Sequence, residues 1–341
     1  MSPPNDLASM VADPEWLPFR YDWQRSLLGF AWIPRVAHSQ LTFLADDYVR
    51  PLDPPSGAAS IADVRSASSS LDCAPHYIFH SAFACSTLIA RALDAPGASM
   101  ALNEPQVINH LAVAALQKRL SEEDMGTVVR LLGRPFASGE AVIVKPSNEA
   151  NFLAHPLMGV DEKSRAIFLY APLPRFLASV AKKGMWGRIW SRRVFATLRA
   201  QANVALGLSE AELFQLSDLQ VAALTWLLHN AQGAALIAAF PDRVRTLDSD
   251  TFLANRARTL DAVGAHFGIA LDGEEIAAGP AFATHSKEIG RSVDPEAPLE
   301  PRIPMPTIDE EIEMVSSWAQ SMAGHLGIAF ELPRQSALLG P

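Results

Sequence analysis

The 341-residue sequence is poor in cysteine and has no long uninterrupted apolar stretch. Cys73 and Cys85 are its only cysteines, which excludes a disulfide framework and a four-cysteine zinc site. The nine histidines form no HExxH motif and no Cys/His cluster, so no metal site is expected. No apolar run reaches the ~20 residues that span a bilayer, and the first residues lack the pattern of a secretory signal. We therefore expect a cytoplasmic protein without a membrane span.

Positive charge is also scarce, since 28 basic residues face 37 acidic ones and the net charge is −9. A nucleic-acid partner is not expected, because binding to a phosphate backbone needs a basic face. The GxSxG elbow of hydrolases and the GxxxxGK[ST] loop of many nucleotide-binding proteins are both missing. What remains is a chain whose apolar fraction of 49% is enough for a large core.

Short apolar segments alternate with helical patterns over most of the chain. The predicted strands are 76–81, 99–102, 141–145, 166–170 and 243–247. The predicted helices are 86–94, 105–118, 210–238, 256–267 and 308–326. This alternation predicts a parallel sheet wrapped by helices, in which ligands bind beyond the carboxyl ends of the strands.

Proline-rich segments mark the predicted connections. Residues 50–60 are predicted to be a loop, and residues 292–306, which include five prolines, are predicted to be extended chain. The domain prediction is an aromatic-rich N-terminal segment, 1–70, that packs on a domain formed by 71–341.

A loop of small residues follows the first strand of the predicted parallel sheet. The segment HYIFHSAFACSTLIARAL (76–93) is an apolar strand, a short loop, and a helix that opens with Ser86 and Thr87. The first N–H groups of a helix are unpaired and attract anions, and two adjacent hydroxyls add further donors. The sequence therefore indicates either an anion cradle or an ordinary Ser/Thr helix cap.

The run FACSTLIARAL (83–93) resembles the RSGTTLLARLL signature of sulfotransferases that use 3′-phosphoadenosine 5′-phosphosulfate (PAPS). The resemblance implies that Ala84, Cys85, Ser86 and Thr87 hold the 5′ phosphosulfate. Phe83 replaces the basic residue of the signature and Cys85 replaces its glycine. The missing charge would be supplied by His80 or Lys145.

Two further segments extend the resemblance to predicted catalytic residues. ALNEPQ (101–106) resembles the stretch in which a glutamate deprotonates the acceptor, which implies that Glu104 is the base. VIVKPSN (142–148) resembles the strand that ends in a site lysine, here Lys145. The alternative interpretations are a helix-start acid for Glu104 and a surface ion pair at the sheet rim for Lys145.

Other basic and polar residues are implied for the 3′-phosphate. AIFLYAPLPRFLAS (166–179) resembles the segment whose arginine and serine hold this group, which implies Ser179 and, in place of the missing arginine, Arg175. In THSKEIGRS (284–292), Lys287 and Arg291 would close on the nucleotide or belong to a solvated loop.

Charge segregation is visible without the resemblance. Residues 163–209 contain nine basic residues and no acid. Trp186 and Trp190 lie among these charges. Such a run favours a small polyanion or an acidic partner, unless acids elsewhere in the fold pair with it.

The resemblance implies a P-loop NTPase-like three-layer α/β sandwich with about five parallel strands and helices on both faces. It implies a PAPS-dependent sulfotransferase that acts on a small-molecule or peptide acceptor by in-line displacement. The alternatives are a kinase-like phosphotransferase and a degenerate nucleotide-binding or scaffold protein, which Phe83 and Cys85 would favour. The sequence predicts neither the acceptor nor the oligomeric state.

Overall fold

The computed structural model describes residues 4–201, 206–283 and 306–340. These residues fall into two compact units. Unit 1 contains residues 4–79, 86–166 and 255–283, and unit 2 contains residues 80–85, 167–201, 206–254 and 306–340.

In the described residues, eight strands form two sheets. The strands are β1 (Trp16–Asp22), β2 (Leu27–Trp32), β3 (Ser56–Ser60), β4 (His76–His80), β5 (Ser99–Asn103), β6 (Ala141–Lys145), β7 (Ala166–Tyr170) and β8 (Val244–Asp248). The first three form an antiparallel sheet in the order β1-β2-β3, and the other five form a parallel sheet in the order β5-β6-β4-β7-β8.

Helices occupy most of the remaining described chain. The α-helices are α1 (Leu7–Ala12), α2 (Arg35–Gln40), α3 (Asp46–Val49), α4 (Ile61–Ala67), α5 (Ser86–Ala92), α6 (Gln106–Leu116), α7 (Glu122–Leu132), α8 (Ala154–Gly159), α9 (Leu173–Lys182), α10 (Gly184–Gln201), α11 (Glu210–Gln215), α12 (Asp218–Ala239), α13 (Ser249–Ala254), α14 (Arg256–Phe267), α15 (Gly273–Ala277), α16 (Pro280–Ala283) and α17 (Pro306–Leu326). Short 3₁₀ turns occur at Arg50–Leu52, Asn148–Leu153 and Arg334–Ser336.

The parallel sheet confirms the predicted α/β fold with five strands and surrounding helices. Each of its strands forms within one residue of its predicted limits, because each is a short apolar run between polar or turn-forming segments. The first of these strands, β4, is the central one. In an open sheet of this kind, the loop after the strand at which the order reverses is the expected ligand-binding position.

Two local predictions were wrong. Residues 56–60, predicted as part of a loop, form β3, which pairs with β2 from Ser56↔Ala31 to Ser60↔Leu27. The predicted helix 210–238 is two helices. The first ends at Gln215, and Ser217 caps the second: its hydroxyl accepts the Gln220 N–H, and the Gln220 side chain accepts the Ser217 N–H.

In unit 1, Arg134 attaches the N-terminal chain to the C-terminal end of α7. Its guanidinium donates to the carbonyl oxygens of Leu131, Met10, Val11, Asp13 and Trp16 at 2.6–2.9 Å. Met10 and Val11 lie in the last turn of α1, where carbonyl groups have no partner within the helix. Burial lowers the pKa of Arg134 to about 10, so the side chain remains charged near neutral pH.

In unit 2, α12 is 22 residues long and, by length and composition, apolar enough to cross a membrane. Its most apolar window is 72% buried within the protein, which is the burial expected of a core helix. Gly233 of this helix lies so close to the Phe168 ring that an added Cβ would be 2.6 Å from it. Trp226 donates its indole N–H to the Ala171 carbonyl at 2.7 Å.

Candidate functional site

The loop between β4 and α5 has an unusual backbone. Ala82, Phe83 and Cys85 have φ values of +66°, +49° and +60°. Each non-glycine residue in this left-handed region costs about 1–2 kcal/mol. His80, at the end of β4, accepts the Ala82 N–H at its Nδ1 atom over 3.2 Å, so the proton of the neutral ring lies on Nε2. Strain of this kind is often retained where a loop must present its N–H groups to a ligand.

Ser86 and Thr87 open α5, as the sequence predicts. Their side chains are 7% and 3% exposed. Within residues 4–201, 206–283 and 306–340, neither hydroxyl has a hydrogen-bond partner. The expected alternative, an ordinary capping hydrogen bond from one of these hydroxyls, is therefore not seen in the described part of the chain. The hydroxyls and the first N–H groups of α5 can donate to an anion.

Phe83 belongs to an aromatic cluster in unit 2. Its ring meets Trp190 edge to face at a centroid distance of 4.9 Å and Phe176 at 5.6 Å. Trp190 in turn stacks with Trp186 at 6.3 Å. Packing therefore fixes an apolar ring at the position where the resemblance places a basic residue.

Glu104 and Lys145 come together at the carboxyl ends of β5 and β6 in unit 1. The strands are adjacent and parallel, and Asn103 is in register with Lys145. The Glu104 N–H donates to the Lys145 carbonyl at 2.7 Å, and the Lys145 Nζ lies 2.5 Å from the Glu104 Oε1. Glu104 has a φ of +52°, so the chain turns sharply where the strand ends.

The environments of the two charges differ. The Lys145 side chain is completely buried, whereas that of Glu104 is 24% exposed. The Lys145 ammonium also lies 5.5 Å from the centroid of the Phe43 ring. A buried ammonium is costly unless a carboxylate pairs with it, which explains the close contact. The pair therefore places one proton-accepting group towards solvent and one fixed positive charge behind it.

Arg175 and Ser179 both lie on α9 in unit 2. The Arg175 Nη1 is 2.5 Å from the Asp250 Oδ1, so this cation already has an acidic partner. The Ser179 hydroxyl donates to the Arg175 carbonyl at 2.9 Å, one turn back along the helix. Lys287 and Arg291, the other predicted phosphate donors, lie outside the described residues.

Acidic residues elsewhere in the sequence pair with much of the basic run. Arg188 and Arg192 both approach Asp218, at 3.4 and 2.7 Å, and Arg199 approaches Glu210 at 2.6 Å. Lys163, in unit 1, pairs with Asp72 at 2.8 Å. For these residues the structure favours the alternative interpretation, in which acids elsewhere neutralise the run.

The acidic partners of the basic run are not among the residues predicted from the sequence. Asp250 follows β8 by two residues, and an acid just after a buried strand is a recognisable signal for a side chain at the carboxyl edge of a sheet. Asp218 gives no such signal, because it is simply the first residue of α12. Within the described ranges, no three His, Cys, Asp or Glu residues are grouped as a metal site would require.

Comparisons with known proteins give structural likeness alone. Neither a protein-family model nor a curated protein matches the sequence. Three solved structures that it resembles are a sulfotransferase domain from the curacin biosynthetic pathway, a sulfotransferase from Alicyclobacillus acidocaldarius, and a sulfotransferase domain from the Synechococcus PCC 7002 olefin synthase.

The TM-scores of these three structures are 0.45, 0.41 and 0.38, and their sequence identities are 14%, 13% and 13%. The matches cover 77%, 75% and 73% of this chain and 100%, 96% and 96% of the other chains. At these scores the likeness does not define the fold, which rests on the strand order and pairing described above.

Proposed function

We propose that the protein transfers a sulfuryl group from PAPS to a hydroxyl or amine acceptor in the cytoplasm. The observation that supports this most directly is the Glu104–Lys145 pair, a carboxylate and a buried ammonium at the ends of adjacent parallel strands. The second support is the sequence likeness of residues 83–93 to the phosphosulfate loop. The acceptor is a small molecule or a peptide.

The loop after β4 fits the anionic 5′ end of the donor. Ser86 and Thr87 have hydroxyls without partners in the described chain, and three left-handed residues precede or flank them. In the proposed site, Ala84 and Cys85 contribute backbone N–H groups, and the two hydroxyls donate to phosphosulfate oxygens. The positive charge that Phe83 lacks would come from Lys145 or His80.

Glu104 would accept the proton of the acceptor as the new bond to sulfur forms. The bond between sulfur and the bridging phosphate oxygen breaks in the same step, and adenosine 3′,5′-bisphosphate leaves. Lys145 would stabilise the negative charge on that oxygen and hold the Glu104 carboxylate in position. Ser179 and Arg175 would bind the 3′-phosphate, which requires Arg175 to exchange its Asp250 contact for the ligand.

Ligand-dependent thermal stability tests the donor. A ligand at ~100 times its Kd should add about 2.7 kcal/mol to the free energy of unfolding. We expect stabilisation by adenosine 3′,5′-bisphosphate and a much smaller effect of ADP or 5′-AMP. Stabilisation by ATP with Mg²⁺ alone would replace the proposal with a phosphotransferase.

Substitution of Glu104 tests the base. Glu104→Gln keeps the side-chain shape and should lower turnover by about 10²–10⁴-fold, while affinity for adenosine 3′,5′-bisphosphate is retained. The exposed Glu162 provides the control, because Glu162→Gln makes the same chemical change away from the pair. Unchanged turnover in Glu104→Gln would remove Glu104 from the mechanism.

The Phe83 cluster supports a second candidate, a nucleotide-binding protein that has lost catalysis. Its aromatic packing leaves no basic group at the position where the resemblance places one. Tight binding of the bisphosphate without turnover of any hydroxyl or amine acceptor would favour this candidate. Ser179→Ala should weaken that binding in either case.

A further inference from the structure

A large cavity lies in unit 1 along the outer side of β5. Its volume is about 820 Å³, and seven of its twenty lining residues are alanines. The rest of the apolar lining includes Leu41, Leu271 and Ile276. This volume lies in the range of pockets that bind small organic molecules. We refer to it as the β5-edge cavity.

The edge of β5 offers one unused pair of backbone groups to this cavity. β5 is the last strand of the parallel sheet, and Ala98, Met100, Leu102 and Glu104 direct their hydrogen bonds to β6. In a parallel ladder the alternate residues, 99, 101 and 103, face the other way. Two of these three already have partners on that side, since Ser99 exchanges bonds with Ala95 and the Asn103 carbonyl accepts the Leu44 N–H.

Ala101 is the residue left over. It lines the cavity, and within the described residues neither its N–H nor its C=O has a partner on the outer edge. One residue at a strand edge can use its N–H and its C=O to form two hydrogen bonds with a single opposing residue, which supplies a C=O and an N–H in return. The edge is therefore complementary to one residue-like unit between two amides and too short for a long peptide strand.

Two buried side chains add unused polar atoms. Asn103 is 7% exposed; its amide nitrogen donates to the Thr42 carbonyl, which fixes the amide orientation and leaves Oδ1 without a partner. His38 is 5% exposed, and neither ring nitrogen has a partner in hydrogen-bond geometry. Burial lowers the pKa of His38 to about 3 and outweighs the Ile33 backbone, which acts to raise this pKa. The ring is therefore neutral near pH 7. A buried polar atom without a partner is destabilising, and a ligand donor would remove that cost.

The charged groups around the cavity do not favour a charged ligand. Asp94 is 2.5 Å from the Arg35 Nη1, and Asp272 accepts the Glu275 N–H at 2.9 Å as the cap of α15. Arg91 also has an interaction within the protein. Glu275 is exposed to solvent, so its charge is hydrated. Among the buried groups that line the cavity, those without partners in the described chain are the neutral His38 and Asn103.

We propose that the β5-edge cavity binds a neutral, mostly apolar organic molecule that contains one residue-like unit between two amides. The N–H and C=O of this unit pair with Ala101, and the molecule directs a donor group to Asn103. This site goes beyond sulfuryl transfer and does not depend on it.

The experiment is a calorimetric titration of the full-length protein with N-acetyl-L-leucine N′-methylamide. We expect saturable binding at roughly millimolar concentration, as its small size allows. The analogue methylated on the leucine nitrogen loses only the leucine N–H, keeps the methylamide N–H and gains one methyl group. It should bind at least about tenfold more weakly, equivalent to ~1.4 kcal/mol. N-acetyl-L-leucine, which is an anion, should also bind more weakly.

Two variants locate the site. Ala101→Leu places a larger side chain in the cavity next to the strand edge and should abolish binding, whereas Ala141→Leu changes a half-buried strand alanine outside the cavity and should not. Slower hydrogen exchange of the Ala101 N–H with the ligand present would give the same location in the unmodified protein. The proposal is overturned if the amide does not bind, if the N-methyl analogue binds equally well, or if folded Ala101→Leu binds as the wild type does.

Discussion

Arg134 is expected to contribute more to stability than any surface arginine, because it satisfies five backbone carbonyl groups at once. It is 3% exposed, and four of the five hydrogen bonds are fully buried. Two of the acceptors are end-of-helix carbonyls of α1, which have no alternative partner in the helix. Arg134→Ala would leave these groups unpaired and create a cavity.

The expected loss follows from these contacts. A buried polar group without its partner costs about 1–3 kcal/mol, and carbonyls near the surface recover part of this from water. We therefore expect Arg134→Ala to lower the free energy of unfolding by about 4 kcal/mol. Such a loss is a large share of the ~5–15 kcal/mol that stabilises a typical protein. Arg134→Lys should lose about half as much, because a lysine keeps the charge but has three donors at one point.

Urea unfolding followed by circular dichroism gives these free energies, and hydrogen exchange of α1 detects local detachment of the N-terminal chain. Arg119, which is exposed, provides the control, and Arg119→Ala should change stability by less than ~0.5 kcal/mol. The reasoning is refuted if Arg134→Ala costs less than about 1.5 kcal/mol and leaves exchange in α1 unchanged.

Three further predictions concern single sites. The folded-state pKa of His38 is about 3 against an ordinary value of 6.5, so its contribution to stability is present above pH 6.5 and is lost as pH falls towards 3. When the pH is lowered from neutral to two units below 6.5, the free energy of unfolding of His38→Phe should rise by about 2–3 kcal/mol relative to that of the wild type. The same dependence of this free energy on pH in the two proteins would contradict the prediction. Lys118 follows α6 with a φ of +56°, so Lys118→Gly should raise stability by about 1 kcal/mol and Lys118→Ala should not, as measured by thermal unfolding. Gly187→Ala should lower the free energy of unfolding by about 2 kcal/mol, because its Cβ would lie 2.3 Å from the Val180 carbonyl oxygen. Gly324→Ala, which has open space around it, should raise that free energy by up to ~1 kcal/mol. Similar effects of the two substitutions would contradict the packing argument.

The antiparallel sheet shows where sequence patterns are weak. β1 and β2 include Pro18 and Gly29, residues that ordinarily argue against strands, and β3 is the small-residue segment SGAAS. Their strand conformation comes from pairing with one another, which no local pattern expresses. The break at Ser217 is different, because its capping box with Gln220 was available in the sequence.

The candidate site likewise has some features that the sequence predicts and others that only the tertiary structure decides. The sequence alone determined the positions of the five parallel strands, the start of α5 at Ser86, and the placement of Glu104 and Lys145 at strand ends, because apolar runs and helix caps are local signals. Only the tertiary structure decided that these two residues form an ion pair, that Phe83 packs against Trp190, and that Arg175 is bound to Asp250. Those contacts join residues that are far apart in the chain. Strand order and helix packing decide which of these residues meet, and neither can be read from the spacing of residues in the sequence.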